Sequence, residues 1–230
     1  MPSLSVRNTV SLLIAVMLSL VLTTRRALAV VVLLSCLGSS ALADTGERVV
    51  LVVGDSLSAA FNMDQADGWV ELLRQRLNAE DADAWRVVNG SISGDTTRGG
   101  LSRLPALLDS AEPEVVIIAL GGNDGLRGLQ PTEIQRNLGA MIELAQAADA
   151  RVLIAGVRIP ANYGAAYSRL FEASFQRVAD THDVTLIPSI LAGVEERTEL
   201  FQSDGIHPSI DAQPIILETI WTSLRPLLND

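Results

Sequence analysis

The chain of 230 residues contains no lysine, and all 17 of its basic residues are arginine. Schiff-base chemistry and a phosphate-cradling P-loop both need a lysine amine and are thereby excluded. Cys36 is the only cysteine and lies in an apolar amino-terminal segment, so the rest of the chain has neither a disulfide nor a thiolate metal ligand. Histidine occurs only as His182 and His207, which leaves few candidates for a base working near neutral pH. Residues 1–43 hold three arginines and no acid, so the remaining chain sets 14 arginines against 27 acids, a formal charge of −13. Such an acidic surface repels phosphate backbones and argues against nucleic acid as a partner. No apolar run reaches the roughly 20 residues that a bilayer-spanning helix needs. The Gly-x-Ser-x-Gly elbow of α/β-hydrolases is absent as well, which disfavours that fold.

What is present begins with two apolar runs, residues 9–22 and 27–37, separated by Arg25-Arg26 and followed by Ala41-Leu42-Ala43 before Asp44. A basic region, an apolar stretch and an Ala-x-Ala site describe a secretory signal peptide. Residues 1–43 are therefore expected to be cleaved after Ala43. Residues 44–230 then form a single domain, periplasmic or secreted, with no stable membrane insertion after processing. A start at Met17 gives the more ordinary layout, with Arg25-Arg26 as the basic region. Leu33-Leu34-Ser35-Cys36 resembles a bacterial lipoprotein-processing site and offers a competing, anchored outcome through Cys36.

Beyond the leader, apolar runs alternate with helical spacing. Val49 to Val53 is an unbroken, β-branched run that reads as a strand buried on both faces, and the chain leaves it at Gly54. Trp69, Val70, Leu72, Leu73 and Leu77 recur at helical spacing, Trp85 to Val88 is a short strand, and a helix follows through about Ser110. Val115 to Leu120 is a second apolar strand. Pro131 opens an amphipathic helix carrying Ile134, Leu138, Met141, Ile142 and Ala145 on one face. Val152 to Val157 is the next strand, followed by a helix with Tyr167, Leu170, Phe171, Phe175 and Val178 on one side. A strand near Val184 to Ile187 comes next, residues 189–203 have no clean period, and a last helix runs from about Asp211 to Leu228. Strands alternating with crossover helices predict an α/β fold with a flavodoxin-like five-stranded parallel sheet and helices on both faces.

Three strands end in polar clusters: Gly54-Asp55-Ser56, Ser93-Gly94-Asp95 (after the strand at 85–88) and Gly122-Asn123-Asp124. Carboxyl ends of a parallel sheet share one edge, where ligands of open α/β sheets bind. A fourth cluster, Asp204-Gly205-Ile206-His207-Pro208, precedes the last helix. A serine hydroxyl becomes a nucleophile only beside a base, and the base needs a partner that fixes its tautomer. His182 reads as a solvated residue at a helix end, where a cation suits the dipole. His207 has Asp204 three residues before it, a spacing that by itself serves equally as a cap for the last helix.

The four blocks Gly54-Asp55-Ser56-Leu57-Ser58, Ser93-Gly94-Asp95, Gly121-Gly122-Asn123-Asp124 and Asp204-Gly205-Ile206-His207-Pro208 resemble, in order, the signature blocks of the GDSL, or SGNH, hydrolases. The resemblance covers essentially all of residues 47–228. Asn123 to Gly128 and Pro160 to Gly164 are similar to the family's periplasmic multifunctional thioesterase, protease and lysophospholipase group. The resemblance implies a three-layer α/β/α sandwich, no metal, and a broad esterase and thioesterase activity on acyl chains; a monomer with no cofactor, acting on a small-molecule acyl ester or thioester, is expected. Position by position it implies Ser56 as nucleophile, His207 as general base and Asp204 as its orienting partner. It further implies the Ser56 and Gly94 N–H groups and the Asn123 amide as oxyanion donors. Asp55 and Asp124 read as structural, tying loops by hydrogen bonds. Leu126, Ile159 and Tyr163 are candidates to line an acyl groove, with ordinary core or loop packing as the alternative. A carbohydrate O-acetyl esterase shares all four blocks, and a non-catalytic binding module on this fold is the remaining alternative.

Overall fold

The uninterrupted apolar run after Arg48 forms most of β1 (Arg48–Gly54), in which Val50, Leu51, Val52 and Val53 are wholly buried. The computed structural model describes residues 48–80 and 85–229. The expected signal peptide, its cleavage site after Ala43 and Cys36 lie outside those residues. β1 pairs with β2 (Trp85–Asn89) on one side and β3 (Val115–Ala119) on the other, and β4 (Arg151–Ala155) and β5 (Thr185–Ile187) extend the sheet. Each of these pairings is parallel and the order is β2-β1-β3-β4-β5. That is the flavodoxin-like order, which has its topological switch between β1 and β3. The register sets Gly54 opposite Ala119, so the loops leaving β1 and β3 emerge side by side.

Among the described residues, five longer helices cover the faces: α1 (Trp69–Glu80), α2 (Thr97–Ala111), α4 (Pro131–Ala147), α5 (Ala165–His182) and α6 (Gln213–Asn229), with α3 (Gly122–Leu126) a single short turn. α1 packs with α6, while α4 lies between α2 and α5. The expected stripe of α4 is fully buried, from Ile134 through Leu138, Met141 and Ile142 to Ala145. Burying each of the larger of these side chains is worth about 1.5–3 kcal/mol.

Two expectations need correction. Leu170 does not share the inner face of α5, being 56% exposed while Phe171, Phe175 and Val178 are buried. One residue before Phe171, it sits about 100° around the helix, which turns it off the 171–175–178 stripe. The last helix begins at Gln213, because residues 210–212 form a separate 3₁₀ turn. The aperiodic stretch before it includes a further 3₁₀ turn, Thr198–Leu200, and a bridge between Phe201 and Pro208 closes the loop that carries residues 204–207.

Candidate active site

Leaving β1, the chain turns tightly on Asp55, whose backbone carbonyl accepts from the N–H groups of Ser58 and Ala59 at 3.2 and 3.0 Å. Gly54 leaves little room for a side chain: a Cβ there would lie 2.8 Å from Ser58 Cβ and 2.9 Å from Ser91 Oγ, where the turn presses against the loop after β2. The turn leaves Ser56 half-buried at the sheet edge. Its Oγ lies 2.9 Å from His207 Nε2, although 151 residues separate them. On the other side of the ring, Nδ1 lies 2.7 Å from Asp204 Oδ2. A carboxylate can only accept, so Nδ1 carries the proton and Nε2 is left with its lone pair toward the serine hydroxyl, which donates to it.

Asp204 does not cap α6. Its Oδ1 accepts from the backbone N–H of Ile206 at 2.9 Å and of His207 at 3.0 Å. The His207 backbone N–H, then the His207 ring and the Ile206 N–H, hold the Asp204 carboxyl down at about 2. It is therefore ionised at any pH at which an imidazole is neutral. His182 sits elsewhere, at the end of α5, with its ring 3.0 Å from where a Cβ on Gly139 of α4 would be.

Asp55 is 3% exposed. Burial pushes its carboxyl up to about 6, against hydrogen bonds from Leu57 N–H and the Asn123 amide. Asn123 Nδ2 donates to Asp55 Oδ2 at 3.2 Å, which commits one of its two N–H groups and leaves the other available. Gly94 has φ +80°, and a Cβ at that position would meet no atom within 4 Å. Its backbone conformation, rather than close packing, calls for glycine. Arg127 donates to the Gly94 carbonyl at 3.1 Å, tying this turn to the end of α3.

The blocks are fastened to one another by side chains that act over long separations. Arg103 on α2 pairs with Asp95 at 2.7 Å and donates to the carbonyls of Gly90 and, at 3.2 Å, Gly54. Asp124, wholly buried, accepts from Thr97 N–H at 2.9 Å and from Thr97 Oγ1 at 2.5 Å, and Asn137 donates to that same hydroxyl oxygen. Gln213, 2% exposed, accepts from the Trp69 N–H and donates to the Ser209 carbonyl, joining α1 to the chain just after His207. Asp55 and Asp124 thus tie loops, in line with their sequence context. Arg103 and Gln213 carry no sequence signal, since an arginine or glutamine in a helix is ordinarily solvated.

Ser56, Asn123 and His207 line a cavity of about 500 Å³ whose walls include Leu126, Ile159 and Leu191. Tyr163, expected beside them, does not line the cavity: its hydroxyl is spent on the Leu126 carbonyl, to which it donates at 2.8 Å. An ion pair between Arg158 and Glu195, at 2.8 Å, also faces the cavity. The arrangement can activate a hydroxyl and offer neutral N–H donors to a developing oxyanion beside a largely apolar cleft.

Comparison with known proteins places the chain in a family. The esterase TesA of Pseudomonas aeruginosa is 50% identical over 181 residues, covering 79% of this chain and 90% of that protein. The thioesterase 1/protease 1/lysophospholipase L1 of Escherichia coli is 42% identical over 190 residues, covering 83% of this chain and 88% of that protein. Among solved structures, TesA superposes with a TM-score of 0.76 at 49% identity, over 78% of this chain and 99% of that one. The psychrotrophic esterase EstA from Pseudoalteromonas, inhibited by monoethylphosphonate, gives 0.75 at 39% identity, over 80% and 100%. With the GDSL-like lipase/acylhydrolase family model matching residues 52–213, from β1 through the loops after β2 and β3 to the His207 loop, this chain belongs to that family.

Proposed function

We propose that Ser56 is the nucleophile of an esterase and thioesterase acting on acyl chains, with His207 as general base and Asp204 orienting it. The observation that carries the reading is the continuous contact from Ser56 Oγ through the His207 ring to Asp204, at 2.9 and 2.7 Å. As Oγ bonds to the substrate carbonyl carbon, its proton passes to Nε2 and the carbonyl oxygen takes up negative charge. The N–H groups of Ser56 and Gly94 and the free N–H of Asn123 receive that charge. Such donors are each typically worth about 10²–10³ in turnover. Collapse expels the leaving oxygen or sulfur, which takes the proton from Nε2. Water then attacks the acyl-enzyme and gives its proton to Nε2; collapse breaks the bond to Ser56 Oγ, which takes that proton back as the acid leaves, with Asp204 balancing the imidazolium in both halves.

The apolar walls of the cleft favour an acyl chain over an acetylated sugar, and esterase, thioesterase, lysophospholipase and arylesterase relatives point the same way. Labelling of the purified protein with a fluorophosphonate probe tests the assignment. Labelling that disappears in Ser56→Ala is expected; labelling that persists there removes Ser56 from the mechanism.

Residues 44–230 are the mature, exported monomer in this reading, and lysophospholipids or other esters are its natural substrates. An exported enzyme meets little acyl-CoA, so thioester cleavage is a capacity of the site. Support comes from the basic, apolar and Ala-x-Ala pattern. A mature chain beginning at Asp44 in the periplasmic fraction is expected. An intact chain confined to the cytosol contradicts it.

A further inference from the structure

The His207 ring is gripped at its two nitrogens, by Asp204 at Nδ1 and by Ser56 at Nε2. Hydrogen bonds at ring nitrogens act along the ring plane, and they do little to resist tilting out of it. Phe61 supplies that resistance: its ring stacks on the imidazole with centroids 4.2 Å apart and planes 29° from parallel. Burial does not account for its position, since Phe61 is 40% exposed and stands apart from the main core. Its neighbours Ala60 and Asn62 both have φ +55°, left-handed backbone that an alanine adopts only under external constraint.

Backbone bonds from Phe61 N–H to the Ser56 carbonyl at 3.4 Å and from Met63 N–H to the Ala60 carbonyl at 3.2 Å hold the turn, and one side chain fastens it to the His207 loop. Gln202 Nε2 donates to the Phe61 carbonyl at 3.0 Å and to the Pro208 carbonyl at 3.1 Å, while its Oε1 accepts from Asn62 Nδ2 at 3.1 Å. The Gln202 backbone N–H donates to the His207 carbonyl at 2.7 Å. The turn that presents Phe61 and the loop that presents His207 are therefore stitched together at one residue.

We propose that Phe61 is a positioning residue for deacylation, holding the His207 ring in place after Ser56 has been acylated. The inference rests on the acyl-enzyme reading above. During acylation the Ser56 hydroxyl is itself a partner for Nε2. Once Oγ is esterified it has no proton to donate, and that grip on the ring is gone. Nε2 must then take a proton from a water molecule while the ring is held by Asp204 and the Phe61 stack alone. The same aromatic face attracts the imidazolium as it forms. Loss of the stack is felt most in the second half-reaction, where the fixed partner is missing.

The test is stopped-flow hydrolysis of p-nitrophenyl butyrate by the purified protein and by Phe61→Ala, Phe61→Tyr and Gln202→Leu. Phe61→Ala is expected to lower kcat about fivefold to tenfold, with KM falling in parallel and kcat/KM changing by less than about twofold. Acyl-enzyme then accumulates, seen as a p-nitrophenol burst of one equivalent per enzyme. Phe61→Tyr restores kcat and abolishes the extra burst, and Gln202→Leu moves both in the direction of Phe61→Ala. A purely structural role does not split kcat from kcat/KM in this way. Equal loss of kcat and kcat/KM without a burst, or no change in a folded Phe61→Ala, overturns the proposal. Absence of both turnover and fluorophosphonate labelling in the unsubstituted protein removes the hydrolase reading beneath it.

Discussion

Val53 and Asp55 are two residues apart and nearly equally hidden from solvent, at 0% and 3% exposure, yet the regions they belong to are built on opposite terms. Around Val53 the sheet interior is apolar throughout: Val50 to Val53 on β1 and Val116 to Ile118 on β3 are fully buried, with their peptide groups spent in the parallel ladder. Such burial is favourable at every position. Around Asp55, the carboxyl rim buries Asp124 completely and holds Ala60, Asn62, Gly94 and Gly121 at positive φ. Burying carboxylates and bending non-glycine backbone into the left-handed region both oppose folding unless hydrogen bonds compensate. The rim is thus carried by the stability of the interior. Substitutions in the two regions should separate cleanly into effects on rate and effects on stability.

The widest separation is expected for Ser56→Ala, which should lower kcat on the order of 10⁶-fold with the melting temperature nearly unchanged. Steady-state assays and a thermal melt on one preparation check both halves. Asn123→Ala should lower kcat about 10²–10³-fold with modest change in KM, since in the proposed mechanism its free N–H meets charge only in the transition state. A change confined to KM would instead show that it binds ground and transition states alike. Ile117→Ala reverses the pattern: removing a fully buried side chain from the centre of β3 should cost about 2–5 kcal/mol in denaturant unfolding, with kcat per folded molecule preserved.

Asp55→Asn lies on the boundary and should blur it. The folded Asp55 holds its proton up to about pH 6, against an ordinary value of 3.8, so between those values the native state binds more protons than the unfolded one. Its contribution to stability therefore falls as pH rises through that window and stays lost above it. Asp204 runs the other way: its contribution is present above about pH 4 and is lost as pH falls toward 2, and its 38% exposure screens it. Asp55→Asn should accordingly help stability more at pH 8 than at pH 4, by at most about 3 kcal/mol. Because Asn123 loses a carboxylate acceptor, kcat should fall about tenfold. Equal stability shifts at both pH values would show that folding leaves the proton affinity of this carboxyl unchanged.

The same contrast explains what was legible in the sequence. β1 and β3 stand out because a strand covered on both faces has to be apolar without interruption, and the α4 stripe because its period matches 3.6 residues. α3 was hidden, since Gly122-Asn123-Asp124-Gly125-Leu126 is turn chemistry that folds into one helical turn only because Gly121 before it adopts φ +121°. Ser56, Asn123, Asp204 and His207 were visible as unusual residues in short polar blocks. Phe61, Arg103, Gln202 and Gln213 were not. Each is a common residue type whose partner lies well away in the chain, as with Gln213 and Trp69, 144 residues apart, and local pattern holds no trace of such pairs.

The central claim, that Ser56 carries the acyl group, is tested most directly by mass spectrometry of protein quenched during turnover of an acyl thioester. The expected result is a mass increase of one acyl group on the peptide containing Ser56, absent in Ser56→Ala. An adduct on another residue, or steady turnover by Ser56→Ala, would contradict it.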